Sequence, residues 1–309
     1  MLFSPRALVC SVLLPLLVLL SPILSDPPGA QPADGDLDAF MARVLARRDD
    51  NWSRLQQYVL DERELVELRG PGNGLLYGRE RELTWYIREG VFVRSPLRVD
   101  GAAVGEDERR KYEDEWLSRE KHRKSHRQSD STESASDAET LARLVREPRF
   151  VSAAYFLKFK FEPGRYAFVG PEDYNGRRVL RIEYYPARLF EDDDDETEAG
   201  DAAEARQERR IERQMNKVAL VTVWVEPQSH QIVKYTFDNV GWDFLPGRWL
   251  VRIDEVRATM EMGQPFAGVW LPASIRGHGA VTLAAGTYDV RYLVEYHSYR
   301  EAAVKTRVR

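Results

Sequence analysis

The chain runs to 309 residues with 43% hydrophobic and 11% aromatic side chains, enough for one large β domain or two smaller ones. Its 45 basic and 50 acidic residues leave a net charge of −5. That balance excludes a general nucleic-acid binder, which needs a basic face to neutralise phosphates.

The N-terminus reads as a targeting segment over residues 1–25. Arg6 precedes the apolar run 7–20, and Ser21-Pro22 breaks the apolar character at its end. Such a run is short for a membrane span and suits a signal-peptide core. Cleavage after Ser25 or Ala30 gives an exported chain of the periplasm or cell envelope; the alternative is an uncleaved inner-membrane anchor using residues 7–24. The lone cysteine, Cys10, lies inside the run, so a cleaved chain has no disulfide and no thiolate metal ligand. It must hold together by burial alone.

A Pro/Gly-rich spacer spans 26–35, and 36–309 is expected to form a single β domain with charged insertions at about 105–137 and 191–214. Asp36 caps an expected helix over 36–48, with Leu37, Phe40, Met41, Val44 and Leu45 at helical spacing. Residues 53–69 and 81–90 read as a long hairpin around the turn at 71–74, with Leu83, Trp85 and Ile87 on one face. Over 105–128, Glu106–Arg110, Glu115–Arg119 and Glu120–Lys124 stand four apart, acid first, as on a solvent-exposed helix that Tyr112 and Trp116 could pin. Residues 128–137 read as disordered.

Phe156–Phe161 alternates aromatics with lysines and reads as extended. Asn175-Gly176 is a strong two-residue hairpin signal. Residues 191–214 are charged throughout. The closing block, 217–299, carries four of the seven tryptophans. It reads as strands at 218–225, 231–238, 248–262, 268–275 and 279–286 before the last strand, where Tyr288, Val290, Tyr292, Val294 and Tyr296 face one way. Apolar parity in 248–262 flips near Asp254-Glu255, which predicts a β-bulge and a bent sheet.

No GxSxG, Walker A or dinucleotide GxGxxG motif is present, and no cofactor is implied. His122 and His126 stand four apart but lack a third ligand and read as a solvated helix face. Asp192–Asp195 has no EF-hand spacing and reads as a solvated run. His230, His278 and His297 have no nucleophile motif nearby. Asn51-Trp52-Ser53 is a formal glycosylation sequon. The chain therefore reads as non-enzymatic.

Residues 93–116, 174–186, 222–235, 269–275 and 292–300, with the Trp-Val-x-Pro strand end at 224–227, resemble the LolA/LolB-like carriers of outer-membrane lipoprotein sorting, and an uncharacterised exported bacterial branch of them. The resemblance implies a mainly β chain: a curved antiparallel half-barrel with an N-terminal helix and a charged helical insertion over or beside it. Its concave face would hold acyl chains, lined here by Trp85, Trp224, Tyr235, Phe237, Trp249, Tyr292 and Tyr296. The competing reading is that these aromatics fill a core, each stabilising by about 1.5–3 kcal/mol. Two functions are compatible with this chain. One is a carrier or chaperone for a lipid, lipoprotein acyl chain or other apolar ligand, with transient membrane contact. The other is a cell-envelope interaction module whose charged arms dock a protein partner.

Overall fold

The computed structural model describes residues 34–89, 91–126, 152–186, 219–239, 252–283 and 285–302. The leader, the spacer as far as residue 33, the runs 128–137 and 191–214, the 246–247 turn and Trp249 lie outside them; the end of the spacer, from Asp34, belongs to the first helix. Eleven antiparallel strands form one unclosed, curved sheet: β1 Tyr58–Arg69, β2 Leu75–Arg88, β3 Val91–Val99, β4 Ala102–Ala103, β5 Tyr166–Tyr174, β6 Arg177–Tyr184, β7 Ala219–Glu226, β8 Gln231–Asn239, β9 Arg252–Phe266, β10 Val269–Leu283 and β11 Gly286–Glu301. Among the described residues three α-helices accompany it: α1 Asp34–Leu55, α2 Glu106–His126 and α3 Ala153–Lys158. Among the described residues no helix is long and apolar enough to cross a membrane.

The spatial order is β4-β3-β2-β1-β11-β10-β9-β8-β7-β6-β5. The chain thus meanders outward through β1–β4, reappears at the far edge as β5, and meanders back to lay β11 against β1. The last strand pairs with the first along nearly its whole length, from Tyr58 opposite Glu301 to Arg69 opposite Asp289.

One face, the inner face, carries the core. The α1 stripe of Leu37, Phe40, Met41 and Val44 is buried against it, Met41 and Val44 completely. Beneath lie Val179, Ile182, Val221, Val223, Tyr235, Met260, Leu271 and Ile275, all at 1% exposure or less. The outer face alternates with this set and carries cross-strand ion pairs such as Arg63–Glu80, Arg276–Glu261 and Arg300–Asp61. Apolar inward and charged outward is the pattern of an antiparallel sheet with one solvated side.

Helix α2 packs on the outer face of β2 and β3, forming a small second core of Leu117 with Val91 and Val93, flanked by Tyr86 and Trp116. Trp116 donates Nε1–H to the Phe92 carbonyl at 2.9 Å, and Tyr112 stacks on Trp116. Glu106 pairs with Arg110 as the spacing predicts.

The Asn175-Gly176 hairpin forms as expected, with φ of 54° and 74° at the two positions. Both values are left-handed, which a two-residue turn of this type requires and which Asn and Gly tolerate best. The expected bulge is also present. Ile253 pairs with Val281 and Glu255 with Ala280, leaving Asp254 as the extra residue on β9.

Three expectations are corrected. Residues 153–158 are helical rather than extended: Ser152 caps the N-terminus through its side chain, and Ala153, Phe156 and Leu157 share the buried side at i, i+3, i+4 spacing. Alternation of aromatics with lysines imitated a strand because Phe159 and Phe161, beyond the helix, also turn inward. Residues 268–275 and 279–286 are one strand through Leu283, not two; the break expected at 276–278 pairs with both β9 and β11. Helix α1 runs on to Leu55, since Asn51 and Leu55 continue its buried side, and the hairpin's first strand begins only at Tyr58.

Phe156, wholly buried, meets Phe237 at 4.8 Å and Tyr235 at 6.1 Å between ring centres. Phe156→Ala should therefore cost about 3–5 kcal/mol. Urea denaturation should show a lower midpoint with the slope unchanged.

Candidate functional site

The inner face is not evenly filled. Under β5–β10, α1 and α3 press Met41, Val44, Phe156 and Leu157 onto the sheet. Toward the other end of β1, β9, β10 and β11 the same face continues with apolar side chains that stay half-buried: Val66, Leu68, Val256, Val281, Tyr288 and Val290. At its middle Gly277 pairs with Tyr292 and Gly279 with Val290, so β10 contributes no side chain to the floor there.

A buried charge network lies between the fully buried and the half-buried parts of this face. Glu62 and Glu64 of β1 are each 2% exposed and share the inner face with Tyr58, Leu60, Val66 and Leu68. Arg94 of β3 reaches across β2 and bridges both carboxylates through Nη2, at 3.0 Å to Glu64. Arg81 of β2 donates Nε–H to Glu64 at 2.6 Å, and the Tyr292 hydroxyl donates to the same residue at 2.6 Å. Trp85 donates Nε1–H to Glu62 at 2.6 Å while Arg94 lies over its ring at 5.3 Å. Arg94 Nε is buried with no partner.

Burial pushes the Glu62 carboxyl up, with Glu64 adding to the rise, and Arg94 and Trp85 offset only part of it. Burial also pushes Glu64 up, but Arg94, Arg81 and Tyr292 outweigh it and hold Glu64 below the ordinary range. Burial, then the Glu64 carboxylate, raises the Tyr292 hydroxyl well above the usual phenol value, and burial with Glu62 does the same for Tyr296. Both phenols therefore stay protonated, and Tyr292 remains a hydrogen-bond donor. The set is built to hold charge in a fixed place.

Of the seven aromatics read from the sequence, the structure brings Trp85, Tyr292 and Tyr296 together around this network. Tyr235 and Phe237 sit on the same face but deep under α3, at 0% and 2% exposure. Trp224 lies on the outer face, donating Nε1–H to Glu172 at 2.8 Å with Lys234 over its ring at 4.3 Å. The network's charged members were missed. Their signal is parity: Tyr58, Leu60, Val66 and Leu68 form one apolar stripe, and Glu62 and Glu64 fall in step within it.

Other polar groups have structural work. Asn51 of the sequon is 1% exposed and donates Nδ2–H to Gln231 at 2.9 Å, so its amide is committed to the α1–β8 contact. His230 accepts from Arg43, and His278 lies 3.2 Å from Asp289 on the outer face. Among the described residues no group of three His, Cys, Asp or Glu side chains could hold a metal ion.

No family profile and no curated protein matches the chain. Among solved structures it is similar to a domain described as an outer membrane lipoprotein-sorting protein from Vibrio parahaemolyticus, at 10% identity and a TM-score of 0.35, covering 85% of this chain and 93% of the other. It is also similar to a DUF1329 family protein from Desulfovibrio piger, at 11% identity and a TM-score of 0.37, covering 90% and 96%. A third is lipovitellin, at 8% identity and a TM-score of 0.33, covering 82% of this chain and 26% of the other. These likenesses are distant, and the functional reading rests on the chain's own geometry.

Two outcomes check the network. Arg94→Met should cost about 3–5 kcal/mol, because it leaves two buried carboxylates without their shared cation. Glu62→Gln should behave differently. The folded chain favours protonated Glu62, so the wild type loses stability at this site as pH rises above the ordinary carboxyl value of 4.5. The glutamine variant does not titrate there and should gain on the wild type as pH rises above 4.5 in urea denaturation.

Proposed function

We propose that the chain is a non-enzymatic carrier, working outside the cytoplasm, for a ligand with an acyl chain. The ligand lies on the inner face of β1, β9, β10 and β11 beyond the reach of α1. The observation that carries this reading is the uneven filling of one face: the apolar pattern of the sheet continues past its helical cover, where Val66, Leu68, Val281 and Val290 remain half-buried. A sheet built only to make a core would end its apolar stripe where the cover ends.

The same end of the sheet has apolar hairpin tips. Leu75, Leu76 and Tyr77 are 56%, 61% and 48% exposed on β2, and Leu283 is 37% exposed on β10. Pro71 packs so closely on Gly286 that a Cβ there would sit 2.7 Å from it, which joins the β1–β2 and β10–β11 tips. In this reading the paired tips form the mouth through which the acyl chain passes, in transient contact with a membrane or a lipoprotein. Both apolar rim and floor support it.

Mass spectrometry of protein purified from its native envelope without detergent should find a co-purified acyl lipid. Val290→Glu should weaken binding of a neutral hydrophobic dye about tenfold or more, since it places a charge against the chain. An unchanged affinity in a folded variant would remove the floor from the site.

A second reading, a docking module for an envelope protein, is favoured by α2. One side of that helix is taken by the sheet, and Arg110, Lys111, Asp114 and Glu115 remain exposed. On this reading charge reversal at Arg110 and Lys111 abolishes partner co-purification and leaves lipid content untouched.

A further inference from the structure

The half-buried part of the inner face is not electrically neutral at its inner end. Along β2 the inner-face positions run Tyr77, Arg79, Arg81, Leu83 and Trp85. Arg81 is tied to Glu64. Arg79 stands one inner-face position further out, about 7 Å along the strand, opposite Val66. It is exposed and makes no ion pair among the described residues. With Arg94, this face of β1–β3 holds three guanidiniums against the two carboxyls of Glu62 and Glu64. The neighbouring inner-face positions on β9–β11 are Val256, Gly277, Gly279, Val281, Tyr288, Val290 and Tyr292, which bring no counter-charge.

We propose that this surplus selects an acyl ligand with an anionic head, a carboxylate or a phosphate, held by Arg79 beside the Arg81–Glu64–Arg94 network. The proposal rests on the carrier reading above and sharpens it to a ligand class. Three physical points support it. A free guanidinium beside an apolar floor matches an amphipathic anion, because the fork-shaped donor set pairs with carboxylate or phosphate oxygens. Arg81 and Arg94 are fixed by their bonds to Glu64, so the positive field beside Arg79 is preorganised. Arg94 Nε is a buried donor with no acceptor, and burial favours neutral Glu62, which increases the local excess of positive charge. A wholly uncharged acyl group would leave all of this unanswered.

The test uses the full mature chain and a neutral reporter, N-phenylnaphthylamine, displaced in parallel by oleate and oleyl alcohol, which share a chain and differ in the head. Oleate should displace the dye about tenfold better than the alcohol, and Arg79→Gln should shrink that ratio to about threefold or less. Urea denaturation of the variant confirms that this exposed substitution leaves the fold in place. Phosphatidylglycerol and phosphatidylcholine, both with dioleoyl chains, separate the two head chemistries: preference for the glycerol lipid assigns a phosphate head, and preference for oleate alone a carboxylate. Equal displacement by oleate and oleyl alcohol, together with equal displacement by the two phospholipids, overturns the anionic head and leaves the carrier reading standing. A ratio that survives Arg79→Gln overturns the assignment to Arg79. Failure of the dye to bind the wild type overturns the carrier reading itself and this proposal with it.

Discussion

The pairing of β1 with β11 is the contact on which the architecture depends. It joins two meanders that would otherwise be separate sheets, one of four strands and one of seven. It also brings Glu64 within reach of Tyr292, 228 residues away in the chain. Without that seam the floor does not exist, because it draws on both meanders, and the network loses its Tyr292 donor. The register is held on the inner face by apolar side chains and on the outer face by ion pairs such as Arg63–Glu295 and Arg300–Asp61. A slip of one residue would send Glu62 and Glu64 outward and Asp61 and Arg63 into the core, so the register is strongly specified.

Much of this was legible in the sequence because the periodicities are local. The α1 stripe, the Asn175-Gly176 turn and the bulge at Asp254 are each set by a few neighbouring residues. The errors have the same origin. At 153–161 a short helix and an inward-turning extended stretch together mimicked alternation, and Arg276–Gly279 carried turn residues while flanked on both sides by strands that hold it straight. The order of strands, and so the seam, depends on contacts too distant in sequence for any window to register.

The candidate site divides along the same line. The aromatic members Trp85, Tyr292 and Tyr296 were visible as apolar positions of the right parity. The carboxylates were not, since a glutamate on a strand ordinarily faces water. What keeps Glu62 and Glu64 inside is the set of cations and phenols arriving from three other strands. The cost of burying them is offset only when Arg94, Arg81, Trp85 and Tyr292 are all in place. A group that depends on four partners from other strands leaves no trace in its own neighbourhood beyond its parity.

An open sheet of eleven strands has two ends that could recruit more backbone, and both are obstructed. Strand β4 is two residues long, and beyond it the β3 rim has its Phe92 and Leu97 carbonyls occupied by Trp116 Nε1 and the Val104 amide. At the other rim β5 has a register irregularity between Phe168 and Gly170, followed by Pro171, which has no amide hydrogen to offer. Copies of the chain meeting at high local concentration therefore find no straight, fully unsatisfied rim on which to stack. The sheet can stay unclosed, without the closure of a full barrel, because its rims discourage polymerisation.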